Sequence, residues 1–348
     1  MIRSLVTGGA GFIGSNLVDA LLEQGHEVVC VDNESASNEE FFWNKKAINI
    51  KADVTDYKWM KNAMSGVDYV FHLAAESRLQ PAIKNPIEAV VKNCVGTTTV
   101  LQCAREADVK KFMYSSTSSG YGMNSYPNVE TQPDDCLNPY SASKVAAEKF
   151  CKMYTDLYGL KTVVFRYFNV YGERSPVFGQ YAPVIGIFLK QKNAGKSLTI
   201  VGDGSQRRDF IHVKDVAAAN ILAATTDIPD EYYGQVFNIG SSNSISIQEI
   251  ADLISDDQVY IPKREGEMET TFANIDKAKE VWKEKIRTAR KPALEKLDVE
   301  FIKAQETSSD TTSIVAEKQK LRDLPSKVDT ATTTDEIKEV WDEKLGDK

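Results

Sequence analysis

The stretch TGGAGFIGS, residues 7–15, decides how this chain folds. It follows a strand-like run, Ser4–Thr7, and leads into the helical pattern of Ile13–Gln24. Gly8, Gly11 and Gly14 are spaced G-x-x-G-x-x-G. Glycine permits the tight turn, lets the backbone approach a pyrophosphate, and lets the helix pack against the strand. Free N–H groups and the positive dipole end at the helix start complete a phosphate cradle. The glycine pattern alone is weak; its place between a strand and a helix gives it meaning. Phe12 and Ile13, inside the same turn, are expected against the cofactor.

Outward from this turn, the run Glu27–Val31 ends in VDN, which puts Asp32 eighteen residues after Gly14. A carboxylate there can accept both ribose hydroxyls of an adenosine. It would repel a 2′-phosphate, so NAD is favoured over NADP. Asn33 stands beside it, and Asp53-Val54, ending the next strand-like run, is placed to flank the adenine. Further strand-like runs at Tyr69–Leu73, Lys111–Tyr114 and Thr162–Arg166 alternate with helical stretches at Ile87–Ala107 and Ser141–Tyr158. That order predicts an α/β fold, a doubly wound parallel sheet of the Rossmann type.

The character changes after about residue 170, where GERSPVFGQYAP and IVGDGSQRRDF bring Gly, Pro and aromatics. Such loop-rich chain usually shapes a pocket. Three parts are expected: a dinucleotide-binding domain at 1–170, a smaller substrate domain at 171–280, and a helical addition at 281–348. Parts near 209–240 are expected to return to the first domain. In the last part Pro292 is read as opening a helix with Leu294, Leu297 and Phe301 on one face. A second helix follows Asp310, carries Ile314 and Leu321, and stops at Pro325. A third begins at a capping box, Thr333-x-x-Glu336, ahead of Ile337, Val340 and Trp341.

Bulk composition narrows the function classes. With 348 residues and 42% hydrophobic content the chain can bury a large core. A net charge of −8 exerts no global pull on nucleic acid or anionic membrane, so neither is an expected partner. Five cysteines without CxxC spacing read as free thiols, and three scattered histidines form no metal constellation, so no metal is expected. The longest apolar run, around Val216–Ala224, is too short to span a bilayer, and Met1 leads into a strand pattern without a leader-like segment. A cytoplasmic protein is expected, in a bacterial or phage-infected host cell.

In NPYSASKVAAEKF, residues 138–150, Tyr140 and Lys144 stand one helical turn apart and share a face. Taken with TGGAGFIGS, VDN, HLAA (72–75), YSSTSSGYG (114–122), PYSASK (139–144) and RYFNVYG (166–172), this segment closely resembles the extended short-chain dehydrogenase/reductase superfamily. Within it the likeness is to the NAD-dependent nucleotide-sugar epimerase/dehydratase family. It covers residues 1 to about 280, continuing through GDGSQRRDFIHVKDV (202–216), FNIGSSNSISIQEIA (237–251) and KREGEMETTFANIDKA (263–278).

The resemblance implies NAD as cofactor, a nucleotide sugar as substrate, and specific roles. Tyr140 and Lys144 match the family's Y-x-x-x-K pair, and Thr117 its catalytic Ser/Thr. Leu73, Ala74, Ala75 and Asn93 match positions near the cofactor. Asn169 and Arg208 match positions that hold the substrate's diphosphate. Arg264 matches a second Arg near the nucleotide, and Glu267 a carboxylate for a ribose hydroxyl. Ser77, just after HLAAE, is a candidate sugar contact. Thr271, seven residues after Arg264, is small where relatives restricted to UDP-glucose and UDP-galactose tend to carry Tyr, which implies room for an N-acetyl group. The opposing reading is a Thr that faces elsewhere. The family's usual dimer would pair helices 87–107 and 141–158.

Chemically, an isolated tyrosine with a pKa of about 10 is a poor base at neutral pH. A nearby ammonium and the positive nicotinamide ring both favour the phenolate. Thr117 can hold the sugar hydroxyl in line while Tyr140 takes its proton and a hydride leaves for NAD. Thr117 is followed by Ser118, Ser119 and Gly120, so the acidic residues typical of a dehydratase or a decarboxylase are absent at those positions. Epimerisation at C4 is therefore the expected reaction. A displaced acid/base set giving a dehydratase or decarboxylase is one alternative. The other is a phage structural or assembly protein that only binds, because residues 281–348 are similar to a helical segment of phage tail-associated proteins around R-x-x-R-x-x-x-L-x-x-x-D and LRDLP.

Overall fold

The computed structural model describes residues 1–36, 40–176, 183–263, 269–307, 309–331, 334–341 and 345. In chain order its strands are Arg3–Thr7 (β1), Glu27–Asp32 (β2), Ile48–Lys51 (β3), Tyr69–His72 (β4), Lys111–Thr117 (β5), Thr162–Tyr167 (β6), Asn169–Tyr171 (β7), Leu198–Val201 (β8), Arg207–His212 (β9), Val236–Ile239 (β10), Ser244–Ser246 (β11) and Gln258–Ile261 (β12). Seven of them form one sheet in the order β10-β6-β5-β4-β1-β2-β3. Every neighbouring pair in it runs parallel. This is the doubly wound order expected from the strand–helix alternation. A sheet covered on both faces needs strands apolar throughout rather than alternating. β5 shows it, with all seven residues buried.

The helices are Phe12–Glu23 (α1), Tyr57–Ala63 (α2), Leu79–Lys84 (α3), Pro86–Val90 (α4), Gly96–Glu106 (α5), Pro139–Tyr158 (α6), Val184–Asn193 (α7), Val213–Thr225 (α8), Ile247–Ile254 (α9), Asp276–Glu306 (α10), Thr312–Lys327 (α11) and Thr334–Glu339 (α12). The helix expected over Ile87–Ala107 contains a π-turn, Val91–Val95, between α4 and α5. Such a wide turn re-aims side chains and recurs at functional sites. α6 starts as its sequence dictates. Asn138 caps it by accepting from the Ser141 N–H at 2.9 Å, and Pro139 takes the first position. It ends at Gly159, whose φ of 72° is the left-handed C-cap.

Beyond residue 170 the chain builds a three-stranded sheet, β11-β9-β7, and a two-stranded sheet, β12-β8. A small core of Phe188, Leu198, Ile200, Ile250 and Ala251 joins α7, β8 and α9. Between these pieces the chain re-enters the large sheet: α8 packs on α1, and β10 pairs with β6 at the edge.

The chain divides into two compact units, Met1–Asn274 and Ile275–Lys348. The second differs from its expected outline. Pro292 does not open a helix but lies inside α10, and Pro325 lies inside α11. An interior proline costs about 3 kcal/mol. Apolar contacts on both sides of Pro292 offset that, with Trp282 and Ile286 buried before it and Leu294, Leu297 and Phe301 half-buried after it. The capping-box residue Thr333 lies outside the described residues.

Candidate active site

The glycine turn is built by close approach. Gly8, at φ +67°, donates its N–H to Val31 O at 2.8 Å, and a Cβ on it would lie 2.8 Å from the Ala74 nitrogen. A Cβ on Gly14 would sit 2.1 Å from Gly8 O. Gly9, which the spacing rule passes over, is needed too, because its Cβ would meet Cys30 Sγ at 2.5 Å. Gly11 is different. Its nearest neighbour would be Gly8 O at 3.4 Å, so a side chain there would project into the cleft the turn lines. Gly11 caps α1 without a side-chain acceptor, and the first turn carries no acidic residue. Such a helix start suits a diphosphate.

Asp32 ends β2 with one oxygen on the Ala10 N–H at 3.1 Å and the other on the Glu34 N–H at 2.8 Å. Burial raises its carboxyl above the usual range, against the pull of those backbone bonds. Each oxygen keeps a lone pair for a ribose hydroxyl. Asn33 Nδ2 donates to Asp53 at 2.6 Å. Burial opposes the charge of Asp53, but bonds from Thr55 and Asn33 and the Lys92 ammonium hold its carboxyl below the usual range. The residues present therefore fit a dinucleotide: a cradle without side chains, a carboxylate at the next strand end, and a polar pair beyond it.

One cleft of about 550 Å³ collects these groups and the proposed chemistry. Its lining includes Gly8, Gly11, Phe12, Ile13, Gly14, Asp32, Asn33, Asp53, Val54, Leu73, Ala74, Ala75, Ser77, Thr117, Tyr140, Lys144 and Asn169. Leu73 and Ala74 are held by their N–H groups on Thr7 Oγ1, each at 3.2 Å.

Asn93, Arg208 and Thr271 are not among these lining residues. Asn93 is fully buried behind the cleft wall. It clamps Glu76 from both sides, at 2.8 and 3.1 Å, and reaches Ser143 Oγ at 2.9 Å. Arg208, on β9, is not among the lining residues; it donates to the carbonyls of Arg207 and Glu269. Thr271 is not among them either and is buried. Arg264 and Glu267 lie outside the described residues.

The expected electrostatics need correction at Tyr140. Burial raises its phenol above the ordinary value, a hydrogen bond with Thr117 opposes this, and the Glu76 carboxylate adds to the rise. Lys144 is 3% exposed, and burial depresses its ammonium to about 8. Its Nζ stands 4.3 Å from the centroid of the Tyr114 ring. Burial thus keeps the phenol protonated at neutral pH in the protein alone.

Sequence reasoning missed Glu76, Lys92, Tyr167 and Phe168, which also line the cleft. Lys92 lies 3.6 Å from Glu76. No local pattern marks either one. The π-turn carries Lys92, and the Asn93 clamp holds Glu76.

A doubly wound sheet with a glycine turn at the start of α1, and a Tyr–Lys pair facing the same cleft, defines a dinucleotide-dependent enzyme. Comparison with known proteins narrows the class. The model of the NAD dependent epimerase/dehydratase family matches residues 4–240. The UDP-glucose 4-epimerase of Mycolicibacterium smegmatis is 35% identical over 307 residues, covering 83% of this chain and 95% of its own. The solved UDP-N-acetylglucosamine 4-epimerase of Methanobrevibacter ruminantium, in complex with UDP-N-acetylmuramic acid, superposes with a TM-score of 0.75 at 34% identity, covering 80% of this chain and 91% of its own. The UDP-glucose 4-epimerase of Thermotoga maritima, solved with UDP-glucose, gives 0.74 at 34% identity, with 80% and 92% covered. The chain belongs to the NAD-dependent epimerase/dehydratase family, and NAD is its cofactor.

Proposed function

We propose that this enzyme is a nucleotide-sugar 4-epimerase acting on a UDP-hexose or UDP-N-acetylhexosamine. The observation that carries the reading is the single cleft shared by the glycine turn and by Thr117, Tyr140 and Lys144. The UDP-sugar epimerases reported above support it. NAD, when bound, supplies the hydride acceptor and a positive ring charge that favours the phenolate. Tyr140 removes the C4 hydroxyl proton as the C4 hydride departs, leaving a 4-keto sugar. It returns the proton when the hydride comes back to the opposite face. Thr117 orients the hydroxyl. Lys144, ammonium at neutral pH, steadies the negative oxygen and grips the cofactor ribose.

Gly8, Gly11 and Gly14 hold the diphosphate of the cofactor, Asp32 its adenosine ribose, and Asn33, Asp53 and Val54 flank the base. Ser77, Asn169 and Arg208 serve the substrate, with Arg264 and Glu267. Residues 1–170 act as the cofactor domain and 171–280 as the substrate domain. Exposed Ile87 and Leu157, at 77% and 65%, support a homodimer through α4–α5 and α6. Unpaired thiols fit a cytoplasmic setting, and no helix among the described residues is long and apolar enough to cross a membrane.

One observation favours a second reading. Glu76 places a carboxylate in the cleft and acts electrostatically on Tyr140, which a dehydratase or decarboxylase could use. Incubation with UDP-glucose, UDP-N-acetylglucosamine, UDP-glucuronate and dTDP-glucose, without added NAD, separates the two. The expected NMR product is the 4-epimer. A 4-keto-6-deoxy sugar or a pentose overturns the epimerase reading.

A further inference from the structure

Behind the cleft, a buried charge cluster ties together the elements that carry the proposed catalytic residues. Glu148 stands one turn after Lys144 on α6 and is 3% exposed; Arg166 on β6 is 2% exposed. Arg166 grips both carboxylate oxygens, Nε to Oε1 at 2.9 Å and Nη2 to Oε2 at 2.7 Å. The same Nη2 donates to Asp134 at 2.6 Å, in the segment leading into α6. The guanidinium also lies 4.6 Å from the centroid of the Tyr121 ring. Ser116, the residue before Thr117, donates its hydroxyl to Glu148 Oε1 at 2.5 Å. Replacing a buried ion pair by apolar side chains is often neutral or stabilising, so stability alone gives little reason for one here.

Its placement gives a better reason. The groups around Lys144 are Glu148 and Cys151 on α6, Cys94 in the π-turn, Tyr114 on β5 and His72 on β4. Burial raises both thiols, so each is neutral at neutral pH. His72 is neutral as well. The ion pair with Arg166 marks Glu148 as the charged carboxylate of this set.

We propose that Glu148 is a positioning residue. Its carboxylate, locked by Arg166, keeps Lys144 an ammonium, and through Ser116 it sets the Thr117 end of β5 against α6. The inference rests on the roles assigned above to Lys144 and Thr117.

The test reads the lysine directly. Protein is grown on lysine carrying 13C at Cε, and the NMR resonance missing from Lys144→Arg identifies Lys144. In Glu148→Gln its titration midpoint falls by about one pH unit, the size of a single close opposite charge. In Glu148→Asp, which keeps the charge, it stays near the wild-type value. Ser116→Ala leaves the midpoint in place and lowers kcat about tenfold at unchanged KM, as a misplaced orienting group does. A folded Glu148→Gln protein with an unmoved midpoint overturns the proposal. If that single substitution does not fold, Glu148→Gln with Arg166→Met removes the pair as a unit, which buried pairs tolerate better. The fall is smaller there, because removing the Arg166 cation opposes it, and a midpoint that does not fall overturns the proposal. The midpoint requires no turnover. A chain without epimerase activity therefore counts against the proposed reaction, and the midpoint still decides on Glu148.

Discussion

Thr271 Oγ1 accepts a hydrogen bond from Asn169 Nδ2 at 3.0 Å and a second from the Asp209 N–H at 3.2 Å. Asn169 lines the cleft, so this hydroxyl is linked to the cleft through Asn169. The Thr271 hydroxyl thereby ties β7 to β9.

Thr271→Val should leave both donors without their shared acceptor. A loss of about 1–3 kcal/mol in stability is expected. KM for the nucleotide sugar should rise several-fold while kcat changes less. Thr271→Tyr should overpack the site, costing about 1–3 kcal/mol, without sorting substrates by size. Urea denaturation and kinetics with UDP-glucose and UDP-N-acetylglucosamine test this. A variant that turns over the first normally and loses only the second would instead make Thr271 a gauge of sugar size.

Gly11 and Gly14 should respond differently to alanine. At Gly14 the new Cβ meets backbone at 2.1 Å, so the turn must deform, at about 1–3 kcal/mol or more. At Gly11 the nearest contact is 3.4 Å, and the cost is that of a poorer N-cap, about 1 kcal/mol or less. Yet Gly11→Ala should carry little NAD after purification, because the methyl group enters the diphosphate space. Nucleotide released on denaturation measures it. Full retention of NAD by Gly11→Ala would remove the cradle assignment.

His72 should make the fold acid-sensitive. Thr97 gives its hydroxyl proton to Asn93 O at 2.6 Å and so accepts from His72 Nε2 at 2.9 Å. Thr7 Oγ1 already accepts from Leu73 and Ala74, so it donates to His72 Nδ1 at 2.7 Å. This network assigns a neutral ring with its proton on Nε2. Burial, then the Lys144 charge, lowers its pKa from 6.5 to about 3. Between those values the unfolded chain binds the proton and the folded one does not. Stability is therefore lost as pH falls below 6.5 toward about 3, at up to about 1.4 kcal/mol per unit. His72→Gln should be less stable at neutral pH but should lose less on acidification. An unchanged slope of urea midpoint against pH would show that other groups dominate.

In the second unit, Arg290 Nη1 donates to Leu321 O at 3.1 Å. Leu321 stands four residues before Pro325, whose missing N–H is the donor this carbonyl would have had. Arg290→Met should orphan it, lowering stability by about 1–2 kcal/mol. Amide hydrogen exchange across α10 and α11 should quicken by a factor of ten or so. Exchange at the wild-type rate would mean the helix satisfies the carbonyl in another way.

The sequence alone determined what local sterics and periodicity control. Ser4–Thr7 and Thr162–Arg166 fall inside β1 and β6, each of which is one residue longer. The glycine turn was legible because a missing Cβ is a property of single positions. Tyr140 and Lys144 were legible because one helical turn relates them, and Asn138-Pro139 announces where α6 begins. Tertiary structure alone decided the rest. Asn169 meets Thr271 across 102 residues, Glu76 enters the cleft through an asparagine on a π-turn, and two interior prolines are tolerated in α10 and α11. It also decided that the Tyr140 phenol holds its proton more firmly than the Tyr–Lys spacing suggests. The physical reason is the same in each case: burial and long-range partners set these energies, and neither is a function of nearby sequence.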